Sequence, residues 1–154
     1  MFHVVLFQPE IPPNTGNIIR LCANCGAKLH LIRPLGFDMS HKQLRRAGLD
    51  YHEFADVALH DSLAAFVEAV RPARILACST RGRKNYSEVS YGPDDALLFG
   101  PETRGLPDAV LDNLPADQLL RIPMRPGNRS LNLSNAVAII AFEAWRQQGF
   151  NGGT

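Results

Sequence analysis

The chain has 154 residues, of which 45% are hydrophobic and 20% charged, and its formal net charge is +1. This length suits one domain with its own hydrophobic core, over residues 1–154, and the composition excludes a disordered chain. No apolar run is long enough to span a bilayer, and the N-terminus has neither a basic leader nor a cleavage site, so we expect a cytoplasmic protein.

Short apolar runs alternate with helical patterns along the chain. The strand patterns, in chain order, cover residues 3–8, 28–32, 53–59, 74–79, 96–99 and 119–124. The helical patterns lie between and after them, over residues 16–24, 40–47, 63–70, 107–114 and 136–144. This alternation predicts an α/β domain with an open, mostly parallel sheet and helices on both faces.

Polar residues and glycine mark several helix ends. Asn14 or Thr15 can cap the first helix, which Gly26 would end, and Asp61 or Ser62 can cap the third helix. The first helix and its two flanking strands make a β-α-β unit within the first 33 residues. Such crossovers join parallel strands, so the unit supports a parallel sheet.

The three cysteines are Cys22, Cys25 and Cys78. An odd number in a chain without a leader is not typical of a disulfide framework. Cys22 and Cys25 form a C-x-x-C pair, but a zinc site would need a second pair, and a redox pair belongs at the start of a helix rather than inside one. The alternative is two small apolar residues on a helix face.

Basic residues cluster at three places in the sequence. Most are arginines, whose planar guanidinium groups suit phosphate. The clusters are Lys42, Arg45 and Arg46; Arg81, Arg83 and Lys84; and Arg121, Arg125 and Arg129. If the fold brings them together they form a patch for RNA, and otherwise they are solvated faces balanced by nearby acids.

Three polar or glycine-containing loops follow predicted strands, over residues 80–84, 100–105 and 125–134. In open parallel sheets, ligands bind outside the carboxyl ends of the strands. Gly100 and Gly105 have the spacing of a phosphate loop, but Leu106 and Pro107 stand where that motif needs Lys and Ser or Thr. With Glu102 and backbone donors, the crevice suits a neutral or cationic adenosine-type ligand, unless the glycines only form tight turns.

The loop over residues 125–134 carries more polar side chains than a plain connection needs. Asn132 and Ser134 can cap the helix that follows it. Capping leaves Asn128, Arg129 and Ser130 unexplained. A strand end, a polar loop and a helix N-terminus together are a common way to build a ligand site.

Three segments carry a family resemblance: PNTGNIIR at residues 13–20, LFGPETRGLP at residues 98–107, and residues 122–136 with IPM and SLNLSNA. In order and spacing they resemble the knotted SPOUT class of S-adenosylmethionine-dependent RNA methyltransferases, in its TrmH-like branch. The resemblance covers nearly the whole chain. Residues 9–24, 44–54 and 99–107 are most similar to the small members that methylate the wobble ribose of tRNA and have no added RNA-binding domain.

The resemblance implies a SPOUT fold with a C-terminal trefoil knot that binds S-adenosylmethionine, without a metal. It also implies a homodimer in which the partner's N-terminal motif completes each site. The implied donor-binding residues are Cys78, Thr80, Gly100, Glu102, Ile122, Met124, Ser130 and Leu131. The implied catalytic residues are Asn14, Arg20 and Asn132. The candidates for RNA binding are Lys42, Arg45, Arg46, Arg81, Arg83 and Arg129.

The implied reaction is methylation of the ribose 2′-hydroxyl of nucleotide 34, a C or modified U, in the anticodon stem-loop of tRNA, with leucine tRNAs as expected substrates. The family assigns proton removal to Arg20. A guanidinium is effectively always protonated, so Arg20 can instead stabilise the developing alkoxide or bind a phosphate. Three alternatives remain: another tRNA or rRNA site, a knotted RNA-binding protein without catalysis, and a flavodoxin-like nucleotide-binding protein.

Overall fold

The structure is a computed structural model that describes residues 1–39 and 56–154. The predicted basic helix over residues 40–47, with Lys42, Arg45 and Arg46, lies outside the described residues. So do residues 53–55 at the start of the predicted third strand.

The described residues contain one seven-stranded sheet, in the order β3-β2-β1-β6-β4-β7-β5. The strands are β1 (His3–Phe7), β2 (Lys28–Ile32), β3 (Ala58–His60), β4 (Arg74–Cys78), β5 (Lys84–Asn85), β6 (Asp95–Phe99) and β7 (Leu119–Arg121). Every neighbouring pair is parallel, which confirms the predicted open parallel sheet. The two-residue strand β5 lies in a segment that the sequence predicted as loop.

The described residues also contain four α-helices: α1 (Pro12–Cys25), α2 (Leu63–Val70), α3 (Asp108–Leu111) and α4 (Leu133–Gln147). Helix α2 has the predicted bounds, and Ser62 caps it by accepting a hydrogen bond from the backbone N–H of Ala65 at 3.0 Å. Short 3₁₀ turns lie at Tyr86–Glu88 and Ala116–Gln118.

Helix α1 begins four residues earlier than the sequence pattern predicted. Pro12 occupies its first turn, where no backbone N–H is needed, so Asn14 and Thr15 lie inside the helix and do not cap it. That prediction was wrong. Gly26 ends the helix as predicted, with φ at +78°, a left-handed conformation that suits glycine.

The two faces of the sheet carry separate hydrophobic cores. Side chains alternate along β1, so Val4 and Leu6 pack with α1 and α4, whereas Val5 packs with Phe66 of α2 and Leu111 of α3. Val5 and Phe66 are completely buried, and burial of a side chain of this size contributes about 2 kcal/mol. Helices therefore cover both faces, as predicted.

Helix α4 leaves part of its apolar surface exposed. Its buried residues are Leu133, Ala136, Val137, Ile140, Ala141 and Ala144. Trp145, which is partly buried against the same core, makes edge-to-face contacts with Phe142 and Phe150, with ring centroids 5.4 and 5.2 Å apart. Phe142 is 39% exposed and Phe150 is 46% exposed, so one chain does not bury all the apolar surface of this helix and the residues after it.

Three histidines from the adjacent strands β1, β2 and β3 form a hydrogen-bonded row, which the sequence analysis missed. Nδ1 of His3 lies 3.0 Å from Nε2 of His30, and Nδ1 of His30 lies 2.9 Å from Nε2 of His60. Phe66 packs edge-on against His30, with ring centroids 4.8 Å apart. Burial lowers the pKa of His30 to about 3, so this imidazole is neutral at physiological pH.

Both cysteines of the C-x-x-C pair are buried on α1. Burial raises the pKa of the Cys22 and Cys25 thiols, and Sγ of Cys25 donates to the carbonyl of Cys22 at 3.9 Å. Within residues 1–39 and 56–154, no group of three His, Cys, Asp or Glu side chains is placed to hold a metal ion. This geometry favours the interpretation of two small apolar residues on a helix face.

Two further sequence-based expectations concern the chain as a whole. In the part of the chain that the structure describes, no helix is long and apolar enough to cross a membrane. The trefoil knot implied by the resemblance stays a prediction.

Candidate active site

A cleft of about 630 Å³ lies at the carboxyl ends of β4, β6 and β7, which are neighbours in the sheet. Because all three strands run in the same direction, the loops that follow them meet at one edge. The structure brings every predicted donor-binding residue to the lining of this cleft: Cys78, Thr80, Gly100, Glu102, Ile122, Met124, Ser130 and Leu131.

The loop after β6 folds back tightly on itself. The backbone N–H of Gly105 donates to the carbonyl of Pro101 at 2.9 Å, and Gly105 has φ at +68°. A Cβ on Gly100 would lie 3.0 Å from the Cα of Gly105 and closer still to the backbone nitrogen of Leu106. The glycines therefore form the tight turn that the sequence left open, and that turn is one wall of the cleft.

The loop after β4 forms a second wall because it folds onto β7. The backbone N–H of Ser79 donates to the carbonyl of Leu120 at 2.9 Å, and that of Arg83 donates to the carbonyl of Leu119 at 3.2 Å. Burial raises the pKa of the Cys78 thiol to about 12. The thiol is therefore protonated at neutral pH, and Cys78 contributes packing and backbone groups rather than a nucleophile.

Two of the three predicted catalytic residues lie directly beside the cleft. Nδ2 of Asn132 donates to Oδ1 of Asn14 at 3.1 Å, and Nδ2 of Asn14 approaches Oε2 of Glu102 at 3.5 Å. Oδ1 of Asn132 accepts the backbone N–H of Ser134 at 2.9 Å, which confirms Asn132 as the cap of α4. Asn14 and Asn132 are not in the lining themselves; Asn14 approaches the lining residue Glu102, and Asn132 is joined to Glu102 through Asn14.

Glu102 also binds the start of α1. Its Oε1 accepts the backbone N–H of Glu10 at 2.9 Å, and its Oε2 accepts that of Ile11 at 2.5 Å. A carboxylate at a helix N-terminus satisfies backbone donors that have no partner inside the helix and interacts favourably with the helix dipole. Glu102 therefore joins the loop after β6 to the N-terminal motif.

Glu10 makes the reverse connection. Its Oε1 accepts both the backbone N–H of Thr103 at 2.9 Å and the Thr103 hydroxyl at 2.7 Å, and its Oε2 lies 3.8 Å from Nε of Arg104. We call Glu10 and Glu102 the reciprocal carboxylate pair, because each accepts backbone hydrogen bonds from the other's loop. Sequence reasoning missed Glu10, since Thr103 lies 93 positions away and no local pattern joins them.

Arg20 lies away from the cleft of its own chain. It is exposed on α1 and is not in the lining. It follows Asn14 by six positions, which places it about 9 Å further along the helix axis and on a different face. The structure therefore brings Asn14 and Asn132 together but does not bring Arg20 to them.

The two remaining basic clusters lie on the loops that form the cleft or in the short strands β5 and β7 beside them. Arg81, Arg121 and Arg129 line it, and Arg81 forms an ion pair with Asp108 at the start of α3. Arg83 is exposed on the same loop as Arg81 but is not in the lining. Asp108 was not among the predicted site residues.

The cleft combines apolar side chains with charges of both signs. Phe99, Leu106 and Ile122 supply apolar surface, and Glu102 and Asp108 supply carboxylates. Its volume is within the range of pockets that bind nucleoside-sized ligands. Since the phosphate-loop motif is absent from the loop at Gly100, the site suits an adenosine-type ligand without a triphosphate.

Residues 1–142 match the SpoU rRNA Methylase family. A relative from Aeromonas hydrophila named tRNA (cytidine(34)-2'-O)-methyltransferase is 59% identical over 152 residues, which cover 99% of this chain and 97% of the relative. The chain therefore belongs to the SpoU rRNA methylase family, which confirms the family and the α/β fold that the motifs predicted.

Solved structures agree with this assignment. A structure from a study of "the 2-OH methylation of C/U34 on tRNA" superposes with a TM-score of 0.89 at 53% identity, covering 97% of each chain. An AdoMet-bound rRNA methyltransferase from Sinorhizobium meliloti superposes with a TM-score of 0.80 at 30% identity, covering 94% of this chain and 56% of that chain.

Proposed function

We propose that this protein transfers a methyl group from S-adenosylmethionine to the ribose 2′-hydroxyl of nucleotide 34, a C or modified U, in tRNA. The observation that carries the proposal is the cleft, which gathers all eight predicted donor-binding residues beside the bonded pair Asn14 and Asn132. The 59% identity to a protein named as a tRNA cytidine-34 2′-O-methyltransferase supports this substrate.

The cleft fits the proposed donor in size and chemistry. Gly100 allows the tight turn that forms one wall of the cleft, and Phe99, Leu106 and Ile122 provide apolar surface for an adenine ring. S-adenosylmethionine supplies a methyl group on a positively charged sulfur. The carboxylate of Glu102 favours a cation in the cleft through its charge.

The chain's own residues orient the acceptor and stabilise the charge that develops on it. As the new bond between the ribose oxygen and the methyl carbon forms, the bond between that carbon and the donor's sulfur breaks and leaves a neutral thioether. The 2′-hydroxyl proton passes to water, and negative charge develops on the oxygen as the proton departs. Arg20 remains protonated and is suited to stabilise that oxygen or an adjacent phosphate. Asn14 and Asn132 fix each other's amide orientation and so contribute by positioning.

The location of Arg20 supports a homodimer as part of this proposal. Because Arg20 is exposed on α1 and outside the lining of its own cleft, we infer that it acts on the cleft of a second copy. The exposed rings of Phe142 and Phe150 provide apolar surface that a second copy can bury. Each site would then combine one protomer's cleft, with its own Asn14 and Asn132, and the partner's Arg20.

The arginines around the cleft are the proposed contacts for the anticodon stem-loop. Arg81, Arg83 and Arg129 lie on two of the cleft-forming loops, where a bound RNA would bring its phosphates. Lys42, Arg45 and Arg46 belong to the same proposal on sequence grounds. In this proposal the single domain of residues 1–154 binds both donor and tRNA in the cytoplasm.

The test is methyl transfer from labelled S-adenosylmethionine to tRNA from cells that lack this activity, with the labelled nucleoside mapped and purified leucine tRNAs tested first. We expect label on the ribose of nucleotide 34, and its loss in Arg20→Ala. Lys28→Ala is the matched control, because Lys28 is an exposed cation at the amino end of β2, on the opposite edge of the sheet from the cleft.

Two outcomes would contradict the proposal. Label on another tRNA nucleotide or on rRNA would keep the donor site but exclude the wobble substrate. Donor binding without transfer to any RNA would identify an RNA-binding member of the fold without catalysis.

A further inference from the structure

The reciprocal carboxylate pair has a member, Glu10, to which the family resemblance gives no role. Its carboxylate reaches from the segment before α1 to Thr103, on the loop after β6. Thr103 and Arg104 both line the cleft, so Glu10 binds the loop that forms one of its walls.

A third loop fixes the backbone of this segment. The N–H of Gly36 donates to the carbonyl of Pro9 at 2.9 Å. A Cβ on Gly36 would lie only 2.8 Å from the Cα of Glu10, so the two backbones are in close contact. Glu10 therefore has a defined position from which its carboxylate can orient the loop after β6.

The bonding pattern requires an acceptor at Glu10. One oxygen receives both the backbone N–H and the hydroxyl of Thr103, and these bonds lower the pKa of Glu10, so that it is ionised at neutral pH. The same loop presents Glu102, which binds the backbone of Glu10 in return. The loop is therefore fixed against the start of α1 from both sides.

We propose that Glu10 is a positioning residue for methyl transfer, which holds the loop over residues 100–105 in the orientation that places Glu102 beside Asn14. The inference rests on the proposed function. Glu10 does not line the cleft and acts through Thr103 and Glu102. Small displacements of the groups that orient reactants can lower a rate by up to about a hundred-fold. We therefore expect loss of the Glu10 carboxylate to lower kcat.

The experiment measures kcat, KM for tRNA, donor affinity and thermal stability for the full chain. Glu10→Ala is expected to lower kcat by about ten-fold or more, with KM for tRNA within about two-fold of wild type. Glu10→Gln is expected to recover most of kcat, because its amide oxygen can accept both bonds from Thr103. Glu68→Ala is the matched control, since Glu68 is exposed on α2.

Thr103→Val is a second variant that removes the hydroxyl bond but keeps the backbone bond, and we expect an intermediate kcat. It replaces Glu10→Ala as the test if that variant does not fold. A kcat for Glu10→Ala within about two-fold of the Glu68→Ala control would overturn the inference. So would a Glu10→Gln variant as slow as Glu10→Ala, or a Thr103→Val variant with wild-type kcat. A wild-type protein that binds donor but transfers no methyl would instead refute the proposed function itself.

Discussion

Asn132, the cap of α4, donates a hydrogen bond to Asn14, which lies 118 positions earlier in the chain. The two ends of this amide side chain have different partners. Oδ1 accepts backbone donors of α4, and Nδ2 binds the N-terminal motif. Substitutions at Asn132 can therefore separate helix stability from site geometry.

We expect Asn132→Asp to keep the cap and lose the bond to Asn14. Aspartate caps helices as well as asparagine does, so the free energy of unfolding should change by less than about 1 kcal/mol. Methyl transfer should fall by about ten-fold or more, because a carboxylate cannot donate to Oδ1 of Asn14. Asn132→Ala should lose the activity and also about 1 kcal/mol of stability. Urea denaturation and initial rates check both, and full activity in Asn132→Asp would contradict the expectation.

Mixed dimers test the location of Arg20. Consider a dimer that pairs an Arg20→Ala chain with an Asn132→Asp chain. The cleft of the Arg20→Ala chain is intact and receives the intact Arg20 of the Asn132→Asp chain, whereas the other site lacks both groups. We therefore expect about half of wild-type activity per dimer, although the Arg20→Ala parent dimer has lost methyl transfer and the Asn132→Asp parent dimer retains about a tenth or less. The dimers are isolated through two different affinity tags and assayed directly.

The control for the mixed dimers carries both changes in one chain and has a wild-type partner. It contains the same substitutions, but each of its sites lacks one group, so it should show no more than about a tenth of wild-type activity. Activity in the control and none in the first mixed dimer would place Arg20 in the cleft of its own chain.

Gly100→Ala should damage both the fold and donor binding. The added methyl would collide with backbone atoms of Gly105 and Leu106, which cannot move without opening the turn. Overpacking of this kind costs about 1–3 kcal/mol. Gly92→Ala is the control, because its Cβ would meet nothing closer than 3.7 Å. Calorimetric titration with S-adenosylmethionine measures donor affinity, and urea denaturation measures the free energy of unfolding. Unchanged donor affinity in Gly100→Ala would show that the turn at this glycine is not a wall of the donor site.

The histidine row predicts how stability depends on pH. His30 has a pKa of about 3 in the folded chain and about 6.5 when unfolded, so below pH 6.5 the unfolded state binds more protons. The free energy of unfolding should therefore fall as the pH falls from about 6.5 toward 3, by up to about 1.4 kcal/mol per pH unit from this group. Burial also lowers the pKa of His3 and His60, which adds to the fall.

Urea denaturation at about pH 7, 6 and 5 compares wild type with His30→Leu. The variant should show a shallower fall, because it lacks the group whose pKa changes most in the row. Equal slopes in the two proteins would show that other groups, such as carboxylates, determine the acid sensitivity.

Local sequence signals predicted the sheet and helices well. The apolar run of β2 and the cap and apolar pattern of α2 gave the observed bounds. Predictions failed at element ends where tertiary contacts decide the conformation. The last strand was predicted over residues 119–124, but β7 ends at Arg121 because Ile122 and Met124 leave the sheet to line the cleft.

Motifs located the donor-binding residues, but pairings between distant segments had no local signal. Asn14 looks like a helix cap in sequence, yet its partners are Glu102 and Asn132. The same holds for Glu10 with Thr103 and for the contacts among His3, His30 and His60, which depend on the register of neighbouring strands. Sequence reasoning could not find these pairings, because only the fold brings their members together.

The sheet order constrains when the site can form during synthesis. Strand β5 pairs with β7, which is made more than 30 residues later and separates it from β4. Until β7 is inserted, β5 cannot join the sheet. The cleft also lacks the part of its lining that residues 121–133 supply. Since chains fold progressively from the N-terminus on the ribosome, a nascent chain can assemble β1, β2, β4 and β6 early but cannot form the complete cleft. The last quarter of the chain therefore determines when the protein first becomes able to bind a ligand.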